Sequence, residues 1–246
     1  MKYRVYLTTK IKAKDLPTSK GGICVIEPED YKDSEIKAIK AKGWRVLAYL
    51  SIGSISTERS YYKTYSKYKK GQLQDWHKEY YMDMTAKPWA DFLVKRAKVF
   101  KKRGFNGYWL DNLDVYEYYR SAKMFDACQK LLKRIKKVGG YVMVNGGSDF
   151  FDKAMDKKLK LKTMVNGVTQ EEVFSYIKNY SGKGKFGEQK AGQKKWYKSY
   201  MVRLVKNKVQ GFLLEYTRTT SVKTKIKNFT KKYKMSGYYI SNDVNL

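Results

Sequence analysis

Eight short apolar runs, separated by longer lysine-rich stretches, set the strongest constraint on how this chain can fold. They are KYRVYL (2–7), GICVIE (22–27), WRVLAYL (44–50), NGYWLD (106–111), YVMVNG (141–146), KTMVNG (162–167), QGFLLEY (210–216) and GYYISN (237–242). Short, nearly continuous apolar runs are what parallel strands covered on both faces require. The stretches between them read as amphipathic helices over 33–43, 90–104, 124–140, 194–208 and 221–234. Phe92, Leu93, Ala97 and Phe100 make one apolar face, Leu131, Leu132 and Ile135 another. Gly43, Gly104 and Gly139 stand where the first three of these helices should stop. The connections at 8–21 and 149–161 are poorly patterned.

Eight strands alternating with helices over 246 residues is the rhythm of an α/β fold of the (β/α)8 barrel type. A doubly wound open sheet is the competitor, but no Gly-rich phosphate loop follows any strand. No Pro- or Ser-rich linker and no solenoid-length repeat interrupts the chain, so residues 1–246 read as a single barrel domain. No apolar run is long enough to span a membrane. The first residues, MKYRVYLTTK, lack the apolar core of a signal peptide, so the chain as given carries none; an extracellular or wall-associated protein with its leader removed would look the same.

The formal net charge of +30 favours polyanionic partners. The excess is lysine, with nine arginines, and sequence-reading proteins use arginine forks on base edges. No basic block, zinc-finger spacing or aromatic RNA-binding signature supports a nucleic-acid function. A lysine-biased solvated surface is the plainer reading. Cys24 and Cys128 lie in a strand-like and a helical run and read as buried free thiols. His77 is the single histidine, which excludes a multi-histidine metal site.

Active sites of such barrels lie at the C-terminal ends of the strands. Those ends carry Glu27; Tyr49 and Ser51; Asp111, Asn112 and Asp114; Asn145; Asn166, Glu171 and Glu172; Glu215 and Tyr216; Asn242 and Asp243. Singly, each has a plain alternative: a turn cap, an Asn-Gly turn, an ion pair with one of many lysines. Their convergence on one rim is the stronger signal. Carboxylates, amides and tyrosines without a cysteine nucleophile suit glycoside hydrolysis, which needs one carboxylic acid and one carboxylate. Trp76, Trp89 and Trp109 offer faces for sugar rings. A magnesium site at Asp111 and Asp114 is the other option, but no further ligand set accompanies it, and no cofactor is expected.

The stretches VLAYLSIGSISTERSYY (46–62), DWHKEYYMDMTAKPW (75–89), GFNGYWLDNLDVY (104–116) and VNGVTQEEVF (165–174) resemble the endo-α-1,4-polygalactosaminidase-like barrels, glycoside hydrolase family 114. The fourth-strand motif is the most specific of them. The resemblance implies a barrel glycosidase with Asp111 and Glu171, the latter three residues before Phe174, as its catalytic carboxylates. It puts Tyr49, Arg59, Asn112 and Asp114 at substrate-pocket positions, with Glu27 as the acid closing the second strand. Asn145 and Glu215, from their strand ends, join the expected substrate-binding set. After Gly53 the family carries a glutamate; here it is Ser54, with Glu58 further along.

The expected function is hydrolysis of a cell-surface or extracellular polysaccharide by a monomer, with the acid and nucleophile roles unassigned between Asp111 and Glu171. The charge points to an anionic polymer, because a cationic amino-sugar polymer would be repelled. The alternative is a non-catalytic glycan-binding barrel of the same ancestry, marked by a filled rim or by either acid ion-paired to lysine. Nucleic-acid binding is the weakest reading.

Overall fold

A computed structural model describes residues 1–74 and 76–246; Asp75, which opens the 75–89 stretch, lies outside the described residues. Eight parallel strands form one sheet in chain order: β1 (Tyr3–Tyr6), β2 (Gly22–Ile26), β3 (Trp44–Ser51), β4 (Gly107–Asp111), β5 (Tyr141–Asn145), β6 (Gly167–Glu171), β7 (Gln210–Tyr216) and β8 (Gly237–Ser241). A parallel bridge from Lys2 to Tyr238 brings the last strand back to the first. The result is a (β/α)8 barrel.

The outer helices are α1 (Asp33–Ala41), α2 (Lys87–Lys102), α3 (Ala122–Val138), α4 (Ser148–Asp156), α5 (Ala191–Lys206) and α6 (Thr220–Lys232), with single turns at Tyr62–Tyr65 and Val115–Tyr118. The β1–β2 crossover holds only the 3-10 turn Ala13–Asp15, as its lack of apolar period implies. Two antiparallel additions sit on the C-terminal side. One is the three-stranded group Ser54–Ser56, Lys69–Gln72 and Glu79–Met82 after β3; the other is the hairpin Ser175–Asn179 and Lys185–Glu188 after β6. Among the described residues, no helix is long and apolar enough to cross a membrane.

The sixth strand lies five residues beyond its expected place. KTMVNG is not a strand: Leu161–Thr163 is a 3-10 turn, and Met164 and Val165 are buried just before the sheet begins. The strand is the more polar GVTQE, whose Thr169 is buried and shares a 3.0 Å hydrogen bond with the Tyr3 hydroxyl. A polar residue is stable at that point because it is paired. Apolarity alone favoured the wrong segment.

Period-two alternation separates two cores. Tyr3, Val5, Ile23, Val25, Leu47, Trp109, Met143, Phe212 and Leu214 fill the barrel, while the intervening residues pack beneath the helices with Trp89, Leu93 and Leu132. Cys24 and Cys128 are buried and free.

Five of the six helices close with the same pattern of backbone bonds. The amide two residues past the helix turns back to the second-last helical carbonyl in α1, α2, α4, α5 and α6, as in Gly104 to Lys101 and Lys208 to Val205. That residue is glycine in α1 and α2 (Gly43 and Gly104, φ 81° and 92°) and lysine in α4, α5 and α6 (Lys158, Lys208 and Lys234, φ 53°, 61° and 54°).

Candidate active site

The inward phase of the barrel strands decides which rim residues meet. Residues 23, 25 and 27 point in, as do 47 and 49, 109 and 111, 143 and 145, 169 and 171, and 212, 214 and 216. Glu27, Tyr49, Asp111, Asn145, Glu171 and Tyr216 therefore continue the interior core up to the rim, where they line a cleft of about 610 Å³. Trp109 forms part of its floor, held through Nε1 to the Tyr3 hydroxyl at 2.9 Å.

β4 and β6 deliver their acids by the same local design. Each begins Asn-Gly and ends on its carboxylate: NGYWLD at 106–111 and NGVTQE at 166–171. Asn106 Oδ1 accepts from the Val46 amide at 2.9 Å, and Asn166 Oδ1 from the Val142 amide at 2.8 Å. Each asparagine thus fixes its strand's start against the preceding strand. Asn166, expected at the rim, is at the opposite end for this reason. A Cβ on Gly107 would fall 1.9 Å from the Tyr141 carbonyl oxygen, so glycine is required there. After each acid the chain enters left-handed conformation, at Asn112 (φ 64°) and Glu172 (φ 58°).

Asn145 joins the two carboxylates. Its Nδ2 donates to Asp111 Oδ1 at 3.0 Å and to Glu171 Oε1 at 2.5 Å. Tyr49 donates to Asp111 Oδ2 at 3.1 Å and Tyr216 to Glu171 Oε2 at 2.6 Å. Burial raises both acids. Glu171 is pushed up to about 7 against the opposing bonds of Tyr216 and Asn145. Asp111 rises against Asn145, the Asn112 amide and Tyr49, three donors that favour its ionised form. Among the described residues neither acid is in a salt bridge, and the rim is an open cleft.

Around this pair, Arg59 forks onto Glu27 at 3.1 and 2.7 Å, with its guanidinium 5.9 Å from the centre of the Tyr49 ring. Asn112 Nδ2 donates to Ser51 and Ser54 at 3.0 and 2.9 Å. Asp114 borders the cleft but holds the loop after β5, accepting from the Gly147 amide at 2.8 Å. Burial lifts Asp114 to about 6.

Glu215 departs from expectation. It falls out of phase with Leu214 and Tyr216, is fully buried, and faces away from the cleft. Its carboxylate accepts from the Phe174 and Ser175 amides and from Ser175 Oγ at 2.6 Å, pinning the segment that follows Glu171. Asn242 and Asp243 line a separate depression beside Arg218. Trp89 lies on the buried face of α2, its Nε1 donating to the Ile52 carbonyl, so it presents no face to a sugar. Trp76 stands at the cleft mouth, 55% exposed and 5.8 Å from the Tyr180 ring. His77 is exposed.

Glu79 was not anticipated. It accepts from Ser54 Oγ at 2.7 Å, and burial raises it, with Asp111 adding a like charge. A carboxylate thus reaches the Ser54 position from the next segment of the small sheet. No spacing signal in the sequence links residues 54 and 79; only their pairing across antiparallel strands does. Glu117 adds another cleft carboxylate. Among the described residues the lining holds seven acids (Glu27, Glu79, Asp111, Asp114, Glu117, Glu171 and Glu172) against one cation, Arg59. In a chain of net charge +30, the cleft has the opposite sign from the surface.

The profile of glycoside-hydrolase family GH114 matches residues 2–242. No curated protein sequence matches the chain. Among solved structures, the glycoside hydrolase domain of PelA from Pseudomonas aeruginosa superposes with a TM-score of 0.77 at 18% identity, over 99% of this chain and 98% of that one. Aspergillus fumigatus Ega3, in complex with galactosamine, gives 0.76 at 15% identity over 99% and 92%. The α-galactosidase TtGalA from Thermus thermophilus gives 0.62 at 9% identity over 96% and 57%. These likenesses share the barrel; the family match covers nearly the whole chain. The protein belongs to glycoside hydrolase family GH114 and is a glycoside hydrolase.

Proposed function

We propose that the enzyme cuts within an amino-sugar polysaccharide of a cell surface or extracellular matrix, by a retaining double displacement with Asp111 as nucleophile and Glu171 as acid and base. The observation that carries this reading is the amide of Asn145 shared by both carboxylates. Its bonds of 3.0 and 2.5 Å keep Asp111 Oδ1 and Glu171 Oε1 no further apart than their sum. That supports the roughly 5–5.5 Å spacing of retaining pairs over the roughly 6.5–9.5 Å that leaves room for an attacking water.

Roles follow from the surroundings. Glu171, lifted to about 7, keeps a proton near neutral pH and delivers it to the leaving oxygen as Asp111 attacks the anomeric carbon. The glycosyl–oxygen bond breaks and a glycosyl–Asp111 ester forms. Glu171, now ionised, takes a proton from water, whose oxygen attacks the same carbon and releases Asp111. Asn145 holds both carboxylates, Tyr49 orients Asp111 and Tyr216 orients Glu171. Asn145 Oδ1 is buried without a hydrogen-bond partner among the described residues.

Net charge pointed to an anionic substrate, but the lining points the other way. With Glu171 protonated and Glu27 paired to Arg59, the remaining carboxylates of the lining attract a protonated amino sugar and repel a uronate. The galactosamine in the Aspergillus structure supports the same class. Reducing-end release from a partly deacetylated galactosaminan, beside polygalacturonate, tests the substrate. Proton NMR of the first-formed anomer tests the stereochemistry. Release from polygalacturonate alone, or an inverted anomer, would overturn the corresponding half of the proposal.

A further inference from the structure

At the end of the barrel opposite the cleft, each helix hands over to the next strand. Six of these junctions, at 40–43, 101–106, 136–140, 157–166, 206–209 and 231–236, contain sixteen Lys and Arg residues and no Asp or Glu. They are neighbours around one ring: Lys40 Nζ reaches the Gly104 carbonyl, Lys101 Nζ the Val138 carbonyl, and Lys136 Nζ the Asn166 side chain. The helix macrodipole accounts for cations in a last turn. It does not account for Lys158, Lys208 and Lys234, which are exposed and hold left-handed backbone where α1 and α2 use glycine for the same closure. A side chain there costs about 1 kcal/mol relative to glycine. A strained position repeated three times on one face, each time with the same charged residue, is the mark of a surface kept for its charge.

We infer that this face docks on a linear polyanionic polysaccharide, one bearing repeated carboxylates, and so holds the acidic cleft outward on the far side of the barrel. The chemistry favours such a polymer over nucleic acid or membrane. Arg103 is the only arginine in the six junctions, and its guanidinium is already taken up by Asp33 and by the Pro28 and Tyr31 carbonyls. No exposed aromatic ring lies in these junctions among the described residues, so there is no platform for stacked bases and no apolar wedge for lipid. Lysine point charges on flexible stems suit repeated, irregularly spaced anions. The inference is independent of the substrate proposed for the cleft.

The test is binding of the full chain to immobilised polygalacturonate over a salt series, with duplex DNA and anionic lipid vesicles at equal ionic strength. The variant Lys158→Gly/Lys208→Gly/Lys234→Gly removes three charges and relieves three left-handed side chains. The control Lys37→Gln/Lys95→Gln/Lys130→Gln removes three charges from exposed positions along the helices. The glycine variant should bind roughly tenfold more weakly with a shallower salt slope, melt no lower than wild type, and hydrolyse soluble substrate unchanged. The control should lose less than about twofold. Equal losses in the two variants, unchanged binding of the glycine variant, or tighter wild-type binding to DNA or vesicles would each overturn the inference.

Discussion

The Tyr216 hydroxyl donates to Glu171 Oε2 at 2.6 Å, the shorter of the two hydroxyl contacts on the candidate catalytic pair. Donation to a carboxylate favours its ionised form, so Tyr216 holds Glu171 below the level that burial alone would set. Tyr216→Phe should raise the pKa of Glu171 above about 7 and move the alkaline limb of kcat/KM to higher pH. A pH–rate profile checks this, and a limb that stays put or moves to lower pH removes Glu171 as the acid.

Asp111→Asn keeps the shape of the side chain and removes the proposed nucleophile. Turnover should fall by roughly a thousandfold or more, while the melting temperature holds or rises, because a desolvated carboxylate has been neutralised. Near-wild-type hydrolysis by this variant would end the assignment.

Glu215 acts through structure. Glu215→Ala leaves the Phe174 and Ser175 amides without their buried acceptor, which costs about 2–3 kcal/mol in unfolding free energy. Urea unfolding reads it directly; an unchanged midpoint would mean that the segment after Glu171 is held by something else.

Stability should also depend on pH in a definite sense. Glu171, at about 7 when folded, lies above the ordinary carboxylate range of an unfolded chain, so the folded state holds the proton more tightly. Its contribution is complete below the unfolded pKa and is lost as pH rises towards about 7. Glu171→Gln should therefore make the decline in unfolding free energy between roughly pH 4.5 and 7 shallower than in wild type. A parallel pair of curves would contradict burial as the cause of the raised pKa of Glu171.

Trp76 presents an exposed indole at the mouth of the cleft. Trp76→Ala should raise KM for a polymer several-fold through loss of ring stacking and leave a short oligosaccharide unaffected. Equal effects on both substrates would place its role elsewhere.

Much of the site was legible because strands alternate with period two. Glu27, Tyr49, Asp111, Asn145 and Glu171 all stand in phase with the apolar residues that fill the barrel, and the same test applied to Glu215 would have placed it among the helices. β6 escaped because GVTQE buries a polar residue, Thr169, through partners on other strands. Glu79 escaped because antiparallel pairing across a 25-residue separation brings it to Ser54. The charge of the whole chain and the charge of the cleft differ for a related reason. Composition averages over a whole surface, whereas a cleft gathers particular acids.

Local chemistry written along the chain determined the strands, the helix stops and the carboxylates at the rim, since these depend on periodicity and on backbone conformation at single residues. Tertiary structure alone decided that Asn145 would join Asp111 to Glu171, that the acids would gather at one end of the barrel and that uncompensated lysines would ring the other. Those outcomes depend on which distant residues come within a few ångströms of one another, and no local pattern encodes that.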